Sequence, residues 1–192
     1  MIITTSLYAY DLSQKHYLGF TYGITRPFYK TSFQNALQPT GINLSKLAQN
    51  FGLTLGTNNQ QIGAQLDFIF LNSNTYTAQG TNNTLSFRDI ILMPNLAYNF
   101  LNYQDWTFKA LFGIGYINSV METQTIRMQN SIDVRYVSSY EYDKIIGKLG
   151  LGAQYACTDY LSLSSFINYL KPINHLYINY ILYANIGLNL HF

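Results

Sequence analysis

Apolar residues alternate with small or polar ones along most of the chain, the period-two pattern of a β-strand whose two faces meet unlike surroundings. From Tyr17 to Thr25, Leu18, Phe20, Tyr22 and Ile24 share one face, with Gly19, Thr21, Gly23 and Thr25 on the other. Phe51, Leu53 and Leu55 form a second such row, followed by the turn-forming pair Asn58-Asn59, and Ile62, Ala64, Leu66, Phe68 and Phe70 a third. The fourth row is Leu92, Pro94, Leu96, Tyr98 and Phe100. Its proline cannot donate to a ladder, which predicts a bulge or a weakly paired position. After a turn over Asn102 to Asp105, Trp106, Phe108, Ala110, Phe112, Ile114 and Tyr116 make the fifth, and Leu149, Leu151, Ala153 and Tyr155 the sixth. Thr158-Asp159 turns the chain into a weaker seventh row of Leu161, Leu163, Ile167 and Tyr169. The eighth is continuous: Ile178, Tyr180, Leu182, Ala184, Ile186, Leu188, Leu190 and Phe192.

Eight antiparallel strands joined in order form an all-β up-and-down sheet that can close with both chain ends on one side. The connections after the second, fourth and sixth strands are short. Those after the first, third and fifth are long, roughly 27–46, 72–84 and 118–143, while 171–175 is a shorter loop on the same side. Short turns at one rim and long loops at the other are the plan of a transmembrane barrel with short periplasmic turns and long extracellular loops.

Composition decides which way the faces point. Charged residues are 10% of the 192-residue chain, well below the usual value of about 25%, while aromatics reach 16%. This excludes a disordered chain, and a net charge of +2 is too small and dispersed for nucleic acid. Every apolar run is broken before the 18 residues that a spanning helix needs, so any crossing of a bilayer is by strands. In a soluble barrel the polar parity would be rich in Lys, Glu and Arg. Here it is mainly Gly, Thr, Ser, Asn and Gln, which suit a narrow filled interior and turn the bulky rows toward lipid. Asp67, Lys109 and Lys148 carry the inward parity, as expected when a cation on the lipid face costs about 2–4 kcal/mol at midplane. They are read as a buried charge network plugging the barrel. Tyr98, Phe100, Trp106, Tyr155 and Phe192 lie outward beside the short-turn rim, where an aromatic girdle is expected.

The segments Tyr17 to Thr25, Pro94 to Phe100 leading into Phe112-Gly113-Ile114-Gly115-Tyr116, and Ile186-Gly187-Leu188-Asn189-Leu190-His191-Phe192 resemble the eight-stranded OmpA and opacity-type outer-membrane barrels of Gram-negative bacteria. The resemblance implies a multi-pass barrel in the bacterial outer membrane, in contact with outer-membrane lipid and lipopolysaccharide. It also implies that the last strand, with Tyr180, Leu188, Leu190 and Phe192 outward, is read by the barrel-insertion machinery during biogenesis. No peptidoglycan-binding domain follows Phe192 in this sequence, which removes cell-wall anchoring from the expected roles. Residues 1–9, MIITTSLYA, read as the tail of an export signal, leaving 10–192 as a single barrel domain.

Three chemistries are candidates. Arg26, Lys30 and Lys46 flank the first long loop and Arg88 ends the second, placing cations where lipopolysaccharide phosphates would lie; a solvated rim is the alternative. Within the third loop, Ile126, Met128, Ile132, Val134 and Tyr136 alternate with Arg127, Asp133 and Arg135 around 129–131. That reads as a projecting hairpin whose edge and charged face could meet a host-surface or extracellular protein. His16, His175 and His191 are the histidines, with Ser164 or Ser165 near the second of them. The lipid A-modifying enzymes among small barrels need a Ser-His-acid set that the spacing here does not define. No cluster has metal-ligand spacing, and no cofactor is implied. Cys157 adjoins a short turn and reads as a buried or lipid-covered thiol. The expected role is non-catalytic, giving envelope structure and surface contact or adhesion through the long loops, with a lipid A-modifying enzyme or a small-solute channel as alternatives.

Overall fold

β-branched and aromatic residues on alternating positions favour extended backbone, and strands dominate a computed structural model of the chain. It describes residues 15–42, 44, 47–58, 61–78, 83–129 and 132–192. Residues 1–9 and Lys46 lie outside this set, as does Asn59 of the first short turn. The eight strands are β1 (Lys15–Tyr29), β2 (Ala48–Asn58), β3 (Ile62–Thr77), β4 (Thr84–Tyr103), β5 (Trp106–Gln129), β6 (Ile132–Ala156), β7 (Leu161–Pro172) and β8 (Ile178–His191). Each pairs antiparallel with its sequence neighbour, and β8 pairs with β1 to close the barrel. A circuit of paired residues runs His16, Thr57, Ala64, Leu96, Phe112, Leu149, Tyr169, Leu182 and returns to β1 at Arg26, ten residues above its start. That stagger is what tilts the strands of a closed sheet.

The outward rows follow the sequence reading. Phe20, Leu53, Phe68, Leu96, Phe112, Leu151 and Leu188 are exposed, each flanked by buried neighbours or by residues of the opposite parity. A contiguous apolar belt of this extent is far beyond what a soluble monomer exposes, and it requires a bilayer to cover it. Pro94 pairs with Leu66 of β3, but the ladder from β4 to β5 skips Met93 and Pro94 without a change of register. At the skipped step β5 approaches closely: a Cβ on Gly115 would lie 2.2 Å from the Leu92 carbonyl oxygen and 2.8 Å from the Met93 Cα. The fourth-to-fifth connection is tighter than expected, since strand runs on to Tyr103 and resumes at Trp106, with Gln104 at φ 53° in the left-handed region.

Three expectations need correction. The upper interior is apolar rather than small and polar: Ile91, Ile117, Ile146, Leu170 and Ile181 are fully buried there with Met93. The reason is length. A bilayer-spanning strand needs about 9–11 residues, whereas β5 has 24 and β6 has 25. The surplus stands in water beyond the long-loop rim, where an ordinary apolar core must form, so the amphipathic pattern inverts. In β4 the outward row changes from Ile90 to Arg88 while the inward row gains Phe87 and Leu85. Second, the first long loop contains a helix, α1 (Thr31–Leu37), whose Phe33 and Leu37, four residues apart, pack onto that core as a lid. Third, Ile178 is buried rather than outward, because a bulge opposite Phe28 and Tyr29 shifts the register at the top of β8.

Candidate functional site

Each of the three inward charges is buried in the lumen. The Asp67 carboxylate is the hub: Lys148 Nζ lies 2.6 Å from Oδ2, Asn95 Nδ2 donates to the same oxygen at 3.0 Å, and Thr54 Oγ1 donates to Oδ1 at 2.8 Å. Gln65 Nε2 donates to both oxygens, at 3.0 and 3.2 Å. A buried carboxylate is tolerated when its lone pairs are filled in this way, and here donors come from β2, β3, β4 and β6 at once. The ammonium of Lys148 also lies 5.9 Å from the centre of the Tyr183 ring. Lys109 lines the same small cavity, which holds about 30 Å³, room for about one water. Above this polar layer the interior is packed by the apolar core.

The histidines fall at three levels. His16 is exposed at the short-turn rim, its backbone paired with Phe192. His191 is buried just inside that rim, with Nε2 2.8 Å from Ser162 Oγ, and Gln154 Nε2 donates to the same hydroxyl at 2.6 Å. His175, within the loop between β7 and β8, is buried, and its Nε2 meets Ser119 Oγ at 3.2 Å. Ser119 is the register partner of Asp89 and hydrogen-bonds its carboxylate. Asp89, Ser119 and His175 therefore form a serine-histidine-acid set that the sequence spacing did not reveal, while Ser164 and Ser165 are not His175's partners.

The hydrogen bonds show why this set is not a nucleophile and its base. His175 Nδ1 accepts the backbone N–H groups of Tyr177 and Ile178 at 3.2 and 3.1 Å, so in the neutral ring the proton is on Nε2. Nε2 then donates to Ser119, and Ser119 donates to Asp89. A general base must accept the serine proton instead. Burial, and then the positive charges of Lys30 and Lys144, lower the His175 pKa to about 4, which keeps the ring neutral and the loop tied down.

The rim cations are spread around the barrel. Arg26 and Arg88 are exposed on β1 and β4, and Lys30 is half-buried at the start of α1, with its backbone N–H bonded to Tyr177. They do not form one cluster. A further exposed lysine missed in the sequence, Lys171 on β7, lies two residues above Tyr169 and donates to Asn179 Oδ1 at 2.6 Å.

The third loop is a continuous β5–β6 hairpin. Its register sets Ile126 across from Arg135, Arg127 across from Val134 and Met128 across from Asp133. Positions directly opposite lie on one face of an antiparallel ladder. Each face thus mixes apolar and charged positions, and the expected separate charged face is replaced by two mixed ones. Tyr136, Val137 and Tyr140 are exposed at 50%, 58% and 49%. On its other edge β6 pairs with β7 from Ile146 downward, and Ile173 N–H bonds to the Ile145 carbonyl just above, which leaves 137–144 as an open strand edge among the described residues. Tyr180 is half-buried, Leu188 and Leu190 are exposed on the outward row of β8, and Phe192, just past its end, is exposed as well. Cys157 is exposed at the turn rather than buried within the protein, because it follows the end of β6 at Ala156.

No family model and no curated protein matches the chain. Solved structures do. The attachment invasion locus protein Ail of Yersinia pestis is 12% identical, with a TM-score of 0.58 over 94% of this chain and 99% of that one. Neisserial surface protein A gives 12% identity and a TM-score of 0.59 over 92% and 97%, and a major outer-membrane protein of Thermus thermophilus 12% and 0.60 over 91% and 99%. At this identity the likeness is one of fold, and together with the outward apolar belt it makes the chain an eight-stranded transmembrane barrel of the bacterial outer-membrane type.

Proposed function

We propose that the chain is a non-catalytic surface-contact protein that captures an extended segment of an extracellular protein along the open edge of β6. The carrying observation is that edge: residues 137–144 pair with β5 on one side and with no described strand on the other. Backbone N–H and C=O groups of 137–144 that point away from β5 can extend a partner's ladder, and exposed Tyr136, Val137 and Tyr140 offer side-chain contacts above and below it. Support comes from the ladder to β5, which pairs with β6 along this whole stretch. The names of the attachment invasion locus protein and Neisserial surface protein A, which share the fold, agree with a role at the cell exterior. The enzyme and channel alternatives draw less support, the first because of the direction of the His175 hydrogen bonds, the second because the Asp67–Lys148 cluster and the apolar core occupy the interior at two levels.

Lysine and proline blunt exposed edges, so the triple variant Tyr136→Lys, Val137→Pro, Tyr140→Lys tests the reading. Cells displaying it at wild-type level, with the heat-sensitive gel mobility of a folded barrel, are expected to attach several-fold less to a cultured cell layer. Undiminished attachment by this variant and by a chain lacking residues 120–141 sinks the proposal.

A further inference from the structure

The open edge of β6 carries different chemistry on its two faces. The face continuous with the lipid-facing row of Leu149 and Ile145 presents Val137, Ser139, Glu141 and Asp143, all exposed. One amide holds the two carboxylates side by side: Asn118 Nδ2 on β5 donates to Glu141 Oε1 at 2.6 Å and to Asp143 Oδ1 at 2.8 Å. Glu122, the register partner of Ser139, is exposed on the same face. Among the described residues none of these three acids is in an ion pair. The cations nearby are engaged with neutral groups instead. Arg135, above the edge, donates to Gln124, and Lys171 on β7, opposite Gly147 and so below Asp143, donates to Asn179.

The other face presents Ser138, Tyr140, Tyr142 and, at its lower end, half-buried Lys144. Tyr140 is exposed there, and Tyr142 packs edge-on against the Tyr177 ring at 5.2 Å. A strand laid along this edge has its side chains sorted by the same alternation. Every second one falls beside Glu141 and Asp143, and those between fall beside Tyr140 and Tyr142. Opposite charges across a ladder attract and like charges repel, while aromatic rings favour apolar or aromatic neighbours.

We infer that the segment captured at this edge is basic and amphipathic, with Lys or Arg at alternate positions along the acidic face and apolar side chains along the tyrosine face. The inference rests on the strand-capture reading given above and narrows its partner to one charge class. The whole chain has a net charge of +2, so the attraction comes from local placement and not from the protein's overall field. The bond from Ile173 N–H to the Ile145 carbonyl closes the lower end, which leaves room for about eight residues. A second copy of this chain fits poorly, because antiparallel pairing of two such edges lays both acidic rows on one face.

The test is fluorescence anisotropy with the full chain in uncharged detergent micelles and three labelled peptides of about eight residues: alternating lysine and valine, alternating glutamate and valine, and the lysine-valine composition in two blocks. The alternating basic peptide is expected to bind at least tenfold more tightly than either of the others. Glu141→Gln with Asp143→Asn should weaken it about tenfold, and the edge variant Tyr136→Lys, Val137→Pro, Tyr140→Lys should abolish its binding. Equal binding of the alternating basic and acidic peptides, both lost in the edge variant, overturns the charge inference and leaves the edge reading standing. Basic-peptide binding that survives in the folded edge variant overturns both. Full retention by the folded Gln-Asn chain, or equal binding of the block peptide, overturns the inference alone. A doubled mass by light scattering that the edge variant abolishes, with no peptide bound, assigns the edge to a second copy and overturns it as well.

Discussion

Asp67→Asn keeps the shape of the side chain but removes the charge that faces the Lys148 ammonium at 2.6 Å. At that separation and an effective dielectric of about 20, the gross attraction is roughly 6 kcal/mol, most of it offset by the cost of taking both ions out of water. Losing one partner is different, because the desolvation of the other remains. Lys148 would stay buried with its counter-ion gone, and Thr54, Gln65 and Asn95 would face a weaker acceptor. The expected loss is about 3–5 kcal/mol, between two and four powers of ten in the folding equilibrium. Asp67→Asn combined with Lys148→Met removes both ions and should cost only about 1–2 kcal/mol, giving a coupling of at least ~2 kcal/mol. Urea unfolding of the chain in lipid vesicles, followed by the fluorescence of its one tryptophan, Trp106 on the outward rim, measures both of these and Lys148→Met alone. An Asp67→Asn loss below about 1 kcal/mol, or a double variant as unstable as the sum of the singles, would refute the reasoning.

Two further outcomes follow from local geometry. Gly115→Val should destabilise the barrel by about 1–3 kcal/mol in the same vesicle assay, since the new Cβ would sit 2.2 Å from the Leu92 carbonyl oxygen beside Pro94; an unchanged urea midpoint contradicts it. The His175 ring should titrate near pH 4 by NMR rather than near its usual 6.5. The unfolded chain binds that proton first, so stability is full above about pH 6.5 and declines as pH falls toward 4, by at most ~3 kcal/mol. A midpoint near 6.5 removes the proposed loop tie.

Much of the barrel is written locally. Period two is a property of neighbouring residues, so the rows of β1, β2 and β5, the outward direction of their bulky members and the inward parity of Asp67, Lys109 and Lys148 are readable without coordinates. The division into short and long connections is equally plain. Where both parities turn apolar, as at Ile69 and Phe70 or Tyr116 and Ile117, the pattern no longer says which row faces inward. The core above the membrane therefore escaped the sequence reading.

Closure and stagger decided the rest. Asp67 and Lys148 are 81 residues apart, Ser119 and His175 56, and no local propensity brings either pair together. The seam between β8 and β1 sets Arg26 on the same face as Tyr180 and Lys171, and the length of β6 beyond β7 creates the open edge. Side-chain direction comes from alternation along one strand, whereas lateral neighbours come from the register of eight strands at once. Only the packed barrel, in which every ladder must close on the next, selects that register.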